Sequence, residues 1–172
     1  MPAMPNEKAG ATSLDVRIER ASPGDAGEIL TVQRAAYLTE AQLYGDPFIA
    51  PLIESLDQLR AVLAGDAVVL VARQGPRLVG AVRGTFNDQT CLAGRLVVAP
   101  DLRGQGIGTR LMRALEAAVT GRAGTIVLFT GHLSDGNLRL YRRLGYTEVR
   151  RERVAAHLTL VHMRKALPGA PA

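Results

Sequence analysis

Three glycines fall within Arg103-Gly104-Gln105-Gly106-Ile107-Gly108, between an apolar segment ending Leu96-Val97-Val98-Ala99-Pro100 and an amphipathic stretch beginning at Thr109. Glycine lets the backbone turn sharply and brings successive N–H groups close to a ligand with no Cβ in the way. The unsatisfied N–H groups of a helix's first turn add to that donor set, so the run reads as an anion cradle suited to a pyrophosphate. A dinucleotide fingerprint would need Gly-x-Gly-x-x-Gly and an acid about 20 residues on. This run is Gly-x-Gly-x-Gly, and Val127-Leu128 stands where the acid would be. The Gly-Lys-Ser or Gly-Lys-Thr of nucleotide hydrolases is absent as well. Further on, Asn137 and Tyr141 are four apart and share a helix face, with Leu140 and Leu144 as a neighbouring core-facing stripe.

Arg103, Gly106 and Gly108 fill the pattern Arg/Gln-x-x-Gly-x-Gly/Ala, and Asn137-Leu138-Arg139-Leu140-Tyr141-Arg142-Arg143-Leu144-Gly145-Tyr146 supplies an Asn, a Tyr four residues later and a closing Leu-Gly-aromatic. In both elements the chain resembles the GCN5-related N-acetyltransferase (GNAT) family, over roughly Val68 to Arg164. The resemblance implies acetyl-CoA as cosubstrate and direct transfer of its acetyl group to an amine in a ternary complex. It implies a pantetheine arm held by backbone groups of Leu96, Val97 and Val98. The remaining cofactor contacts would come from Arg103, Gly104, Gln105, Gly106, Ile107, Gly108, Thr109, Asn137 and Tyr141. A backbone N–H near Val97 or Val98 would meet the oxyanion. Tyr141 would be the general acid for the departing thiolate, a phenol near pKa 10 facing a thiol near 8.5.

Family members often carry a glutamate as base on the strand before the glycines, but here that strand reads Cys91-Leu92-Ala93-Gly94-Arg95-Leu96. The base must come from elsewhere: Glu40, Asp46, Asp88, His132 or a water relay. Tyr37, Tyr44 and Phe48 are candidates for an apolar acceptor pocket or for core packing. An acyl-cysteine route through Cys91 would need a neighbouring His and acid, whereas a lone cysteine inside a strand reads as a small core residue. His157 and His162 fall on opposite faces of one expected strand without carboxylate-rich spacing, so no metal site is expected.

The elements that must position these residues alternate. A period-two strand, Val16 to Arg20, precedes a helix opened by Ser22-Pro23 and running to about Leu38. A turn at Tyr44 to Phe48 leads to a second helix after Pro51, with Leu52, Ile53, Leu56, Leu59 and Leu63 on its apolar face. Strands are expected at Ala67–Arg73 and Leu78–Phe86, joined by a hairpin at Gln74-Gly75-Pro76-Arg77, and at Thr90–Val98. Gly94 suggests a bulge or a close backbone approach in the last of these. Ile107, Leu111, Met112, Leu115, Ala118 and Val119 form the apolar face of the helix after the glycines. A strand at Thr125–Thr130, a helix at Gly136–Leu144 and strands at Tyr146–Arg153 and Ala155–Met163 complete the pattern.

This is an α/β (α+β) single domain over 14–167, with a mixed, mostly antiparallel sheet and helices on both faces. The resemblance implies a V-shaped splay between the fourth and fifth strands. The acceptor-binding segment is expected at about 37–66, the acetyl-CoA core at about 90–146, and loose tails at 1–13 and 168–172.

The 172 residues suffice for one such core. One cysteine leaves no internal disulfide framework, and with no export signal or membrane-length apolar run the expected location is cytoplasmic. The net charge of +5 is carried almost wholly by arginine, since Lys8 and Lys165 are the only lysines. Arginine suits a polyanionic cofactor such as coenzyme A, and equally a solvated helix face. Arg142-Arg143 with Arg150-Arg151 and Arg153 is a weak nucleic-acid patch without aromatic interleaving, so nucleic acid is not an expected partner. The sequence reading is therefore an N-acetyltransferase acting on an amine of a small molecule or peptide, with a homodimer allowed. The alternatives are a toxin-like acetyltransferase of aminoacyl-tRNA and a non-catalytic acyl-CoA sensor.

Overall fold

The computed structural model describes residues 15–169, so the expected tail at 1–13 and the end of the one at 168–172 lie outside the described residues. Seven strands form one sheet in the order β1-β2-β3-β4-β5-β7-β6. They are β1 (Val16–Arg20), β2 (Val68–Gln74), β3 (Arg77–Asn87), β4 (Thr90–Val98), β5 (Thr125–Gly131), β6 (Thr147–Ala155) and β7 (Leu158–Ala166). The helices are α1 (Ala26–Tyr44), α2 (Ala50–Ile53), α3 (Leu56–Ala64), α4 (Ile107–Val119) and α5 (Asp135–Arg143).

The side-chain alternation of β2 explains why both faces are covered. Val68, Leu70 and Ala72 belong to the core on the α4 face, while Val69 and Val71 belong to the core on the α1 and α3 face. α4 buries Ile107, Leu111, Met112, Leu115 and Val119. Ala118, expected on that face, is exposed, and Ala114 packs against the core in its place.

β4 and β5 are the parallel pair, and their ladder stops after Thr90↔Thr125, Cys91↔Ile126 and Leu92↔Val127. Past Leu92 the strands part, leaving the β5-facing edge of Leu96–Val98 without a partner strand, as the V-shaped splay requires. The bulge expected near Gly94 is present: pairing with β3 moves from Ala81↔Val97 to Arg83↔Gly94, so β4 carries an extra residue. That residue region holds Arg95 at φ 51, a left-handed conformation costing a non-glycine residue of order 1–3 kcal/mol. A Cβ added at Gly94 would meet nothing within 4 Å.

Several boundaries differ from expectation. α1 continues past Leu38 to Tyr44 because its buried stripe continues through Ala41 and Tyr44, and it ends where Gly45 turns left-handed at φ 63. The single helix expected after Pro51 is two. Ser55 starts α3 with a capping box, accepting from Gln58 N–H at 3.1 Å while its own N–H donates to Gln58 Oε1 at 2.8 Å. The break turns Glu54 under α1. β7 begins at Leu158, so His157 sits in the β6–β7 turn, and the two histidines do not share a strand. No helix among the described residues is long and apolar enough to cross a membrane.

Candidate active site

A cleft of about 700 Å³ lies between the C-terminal half of α1, the end of β4, the start of α4 and α5. Its floor is Leu96, Val97 and Val98, the unpaired edge left by the splay. One wall is the glycine loop. Gly104 and Gly106 hold φ of 76 and 81, which an L side chain resists, and Gly106 is the N-cap of α4. The first bond of that helix runs from Arg110 N–H to Gly106 O at 3.1 Å, so the N–H groups of Ile107, Gly108 and Thr109 are not used by the helix. These three residues line the cleft, and Gln105 does not. Gly108 is ordinary helix, where a Cβ would meet Leu140, Val98 and Leu96 only at 3.6–3.9 Å.

Arg103 also lines the cleft, but its guanidinium spans it: Nη1 donates to Thr39 Oγ1 at 2.9 Å and Nη2 to Ala36 O at 2.8 Å. The loop is thereby tied to α1. Two further cleft cations come from α5, Arg139 and Arg143, one turn apart. Their i,i+4 spacing is visible in the sequence, but only the fold shows that this helix face borders the cleft. Arg142, Arg150 and Arg151 instead pair with Glu148 or Glu152, at 4.0, 3.0 and 2.7 Å, so these two carboxylates offset part of the charge of the Arg142–Arg153 patch.

The candidate bases separate clearly. Glu40 lines the cleft, and its Oε2 accepts from the Ser134 hydroxyl at 2.6 Å. The Tyr44 hydroxyl, 2.8 Å from Ser134 Oγ, itself accepts from Leu133 N–H at 3.0 Å. Gly131 makes this chain possible, because a Cβ there would fall 2.0 Å from the Tyr44 hydroxyl oxygen. Nothing in the sequence marked Ser134. Asp46 is outside the cleft, accepting from Phe48 N–H at 2.8 Å and bonded to His157 at 3.0 Å, contacts that hold its carboxyl below the usual value. Asp88 lies in the β3–β4 turn, at the opposite end of β4 from Leu96–Val98. His132 Nδ1 accepts from Thr159 N–H at 3.1 Å, outside the cleft lining.

Asn137 lines the cleft and donates from Nδ2 to Thr130 Oγ1 at 3.3 Å. Tyr141 does not line it. Its ring is 7 % exposed and meets Tyr146 edge-on at 5.9 Å, and burial, with Tyr37 and Glu40 nearby, pushes its phenol well above the ordinary value. Tyr37 lines the cleft beside it, its own phenol pushed up to about 12 chiefly by burial. Of the other aromatic candidates, Tyr44 is committed to Ser134 and Phe48 is 75 % exposed outside the cleft. Cys91 is buried in the core, and burial pushes its thiol up to about 11, the opposite of an activated nucleophile.

Behind Tyr37 lies a buried polar cluster invisible to sequence spacing. Glu54 Oε1 accepts from Arg83 Nη2 and Oε2 from Gln33 Nε2, both at 2.7 Å, and Arg95 Nε is 3.6 Å from Oε2. Burial works to raise the Glu54 pKa, but these donors and the two arginine charges hold it below the usual value, so Glu54 stays ionised and occupied.

The donors, cations and open strand edge of the cleft match a phosphorylated, extended ligand. A family model for the acetyltransferase (GNAT) domain matches residues 35–167. The chain is similar to the spore coat polysaccharide biosynthesis protein SpsD of Bacillus subtilis (strain 168), 26 % identical over 132 residues, covering 73 % of this chain and 45 % of that protein. The fold is that of the PaiA N-acetyltransferase of Thermoplasma acidophilum solved with coenzyme A, at TM-score 0.75 and 19 % identity over 88 % of this chain and 98 % of that one. It is also that of YncA of Salmonella typhimurium, described as a putative acetyltransferase and solved with acetyl-CoA, at TM-score 0.74 and 18 % identity over 92 % and 97 %. The family match spans most of the sequence, and the chain belongs to the GNAT acetyltransferases.

Proposed function

We propose that the protein transfers the acetyl group of acetyl-CoA directly to an amine, with both substrates bound in this cleft. The observation that carries the reading is the meeting, at one opening, of a left-handed glycine N-cap with unspent helix N–H groups and an unpaired strand edge at Leu96–Val98. Acetyl-CoA supplies the activated thioester. The Ile107, Gly108 and Thr109 N–H groups hold the pyrophosphate, with Arg139 and Arg143 adding charge. Backbone groups of Leu96, Val97 and Val98 align the pantetheine arm as an added strand, and a fixed N–H among them faces the negative charge that develops at the carbonyl.

Glu40 takes the proton of the acceptor amine. It alone among the four candidate bases lines the cleft, and Ser134 orients it through Oε2. Tyr141 is protonated at neutral pH as any phenol is, and burial raises its pKa further. Transfer from an ordinary phenol to an ordinary thiolate is already uphill, and the shift makes it more so. Tyr141, buried behind the cleft lining next to Tyr37, therefore serves as a hydrogen-bond donor to the departing sulfur where the bound thioester reaches its hydroxyl. The experiment is a screen of amines, peptides and aminoacyl-tRNA with free coenzyme A as readout. Amine-dependent release is expected. Tight acetyl-CoA binding with no transfer to any acceptor would make the protein a sensor instead.

A further inference from the structure

The acceptor's chemistry can be read from the cluster behind Tyr37, which acetyl transfer itself does not need. Arg83 on β3 and Arg95 on the β4 bulge both approach Glu54, whose two oxygens are already taken by Arg83 and Gln33. Arg95 reaches Oε2 only at 3.6 Å, longer than a hydrogen bond. Two guanidinium charges therefore share one carboxylate, and among the described residues one positive charge is left without a counterpart. Arg83 Nη1 and Arg95 Nε are buried with no hydrogen-bond partner among the described residues. A native interior seldom leaves guanidinium donors in that state. The void that both arginines line measures about 10 Å³, the space of one water at most, so solvent answers only part of the deficit.

Arg95 does not itself line the cleft, but it is the most exposed charged member of the cluster and the one next to a cleft residue in the chain. Its side chain is 25 % exposed against 12 % for Arg83 and 9 % for Glu54. Leu96, the next residue, lines the cleft, and so does Tyr37, on whose phenol Arg95 is the strongest charge. Glu40, the other carboxylate acting on Tyr37, is engaged with Ser134. The bulge keeps Arg95 in a left-handed conformation that a non-glycine residue holds only where its surroundings demand it.

We propose that the amine acceptor bears an oxyanion, a carboxylate or a phosphate, a few bonds from its amine, and that the terminal nitrogens of Arg95 bind it between Tyr37 and Leu96. Arg83 and Glu54 fix the guanidinium plane, which presents a two-pronged donor that matches such a group. An acceptor with a second positive charge is disfavoured by the same residues. The proposal rests on the acetyl-transfer reading.

The test compares amines that differ only in the anion: L-amino acids against their amides, and phosphoethanolamine against ethanolamine, each with the unmutated protein, Arg95→Gln and Arg95→Lys. The anionic member of at least one pair should be preferred by about 10–100-fold in kcat/KM, and the pair preferred identifies the anion. The preference should collapse in Arg95→Gln and survive in part in Arg95→Lys, while calorimetry gives an unchanged Kd for acetyl-CoA in both. Equal use of both members of each pair, a preference that persists in Arg95→Gln, or acetyl-CoA binding with no transfer to any anionic amine overturns this proposal alone. Failure of the unmutated protein to bind acetyl-CoA overturns the transferase reading and this proposal with it.

Discussion

The two sides of the cleft are built by different means. The β4–α4 side is made of backbone: left-handed glycines, helix N–H groups and an unpaired strand edge, all within 96–109 of the sequence. The α1 side is made of side chains joined over long separations, with Glu40 bonded to Ser134 94 residues on and Glu54 to Arg83 29 residues on. A backbone site recognises what every member of such a family shares. A side-chain site is free to change with the acceptor, and in this chain it contains an ionised, fully engaged Glu54 and, on β4, Arg95.

The sharpest way to separate the two sides is to break the cradle alone. Gly106→Asp forces a side chain and a negative charge onto a residue at φ 81, where the pyrophosphate should meet N–H groups. Acetyl-CoA binding measured by calorimetry should be abolished in a variant that remains folded. Unchanged affinity would remove the cofactor assignment.

The next effect is on the other side. Glu40→Gln keeps the shape of the contact with Ser134 and removes the base, so kcat should fall by roughly 10²–10⁴-fold at nearly unchanged acetyl-CoA affinity. If turnover is normal, the amine loses its proton elsewhere. Tyr141→Phe should cost less, about 10²-fold in single-turnover rate, because a phenol with a raised pKa contributes a hydrogen bond more than a proton. A Phe variant of full rate would make Tyr141 a packing residue against Tyr146.

The smallest effect concerns stability and touches neither side. Burial pushes the Asp25 carboxyl up, but hydrogen bonds from Ser22 and Arg73 together with the Arg73 charge win and hold it below its ordinary 3.8. A carboxyl whose pKa is lowered by folding stabilises the native state above its unfolded pKa and loses that contribution as pH falls through the folded one. Asp25→Asn should therefore cost about 1.5–3 kcal/mol in urea unfolding at neutral pH. The difference should shrink below about pH 5, and a gap that stays constant into acid would contradict the assignment.

What the sequence disclosed follows the same division. The strand alternation, the α4 stripe and the glycine run are local signals, and local backbone chemistry builds the cradle from them. The Ser55–Gln58 capping box was equally local and legible, yet the apolar spacing of Leu52 to Leu63 masked it, and with it the break that carries Glu54 inward. Ser134, Arg83 and Arg95 have no local signature. They matter through which elements the sheet order brings together, and the β4 bulge that aims Arg95 shows in the sequence only as a glycine one residue away. Arg103 was legible as a cleft residue, but its tie to Thr39 and Ala36 required the length of α1 to be known.

The central claim is direct acetyl transfer from bound acetyl-CoA to an amine. A rapid-quench single turnover, with acetyl-labelled cofactor bound to excess protein and mixed with a competent amine, tests it most directly. Acetylated amine and free coenzyme A should appear together at one rate, with no label on the protein at any time. Label that passes through Cys91 or any other side chain before reaching the amine, or coenzyme A released at a rate indifferent to the amine, would contradict the account.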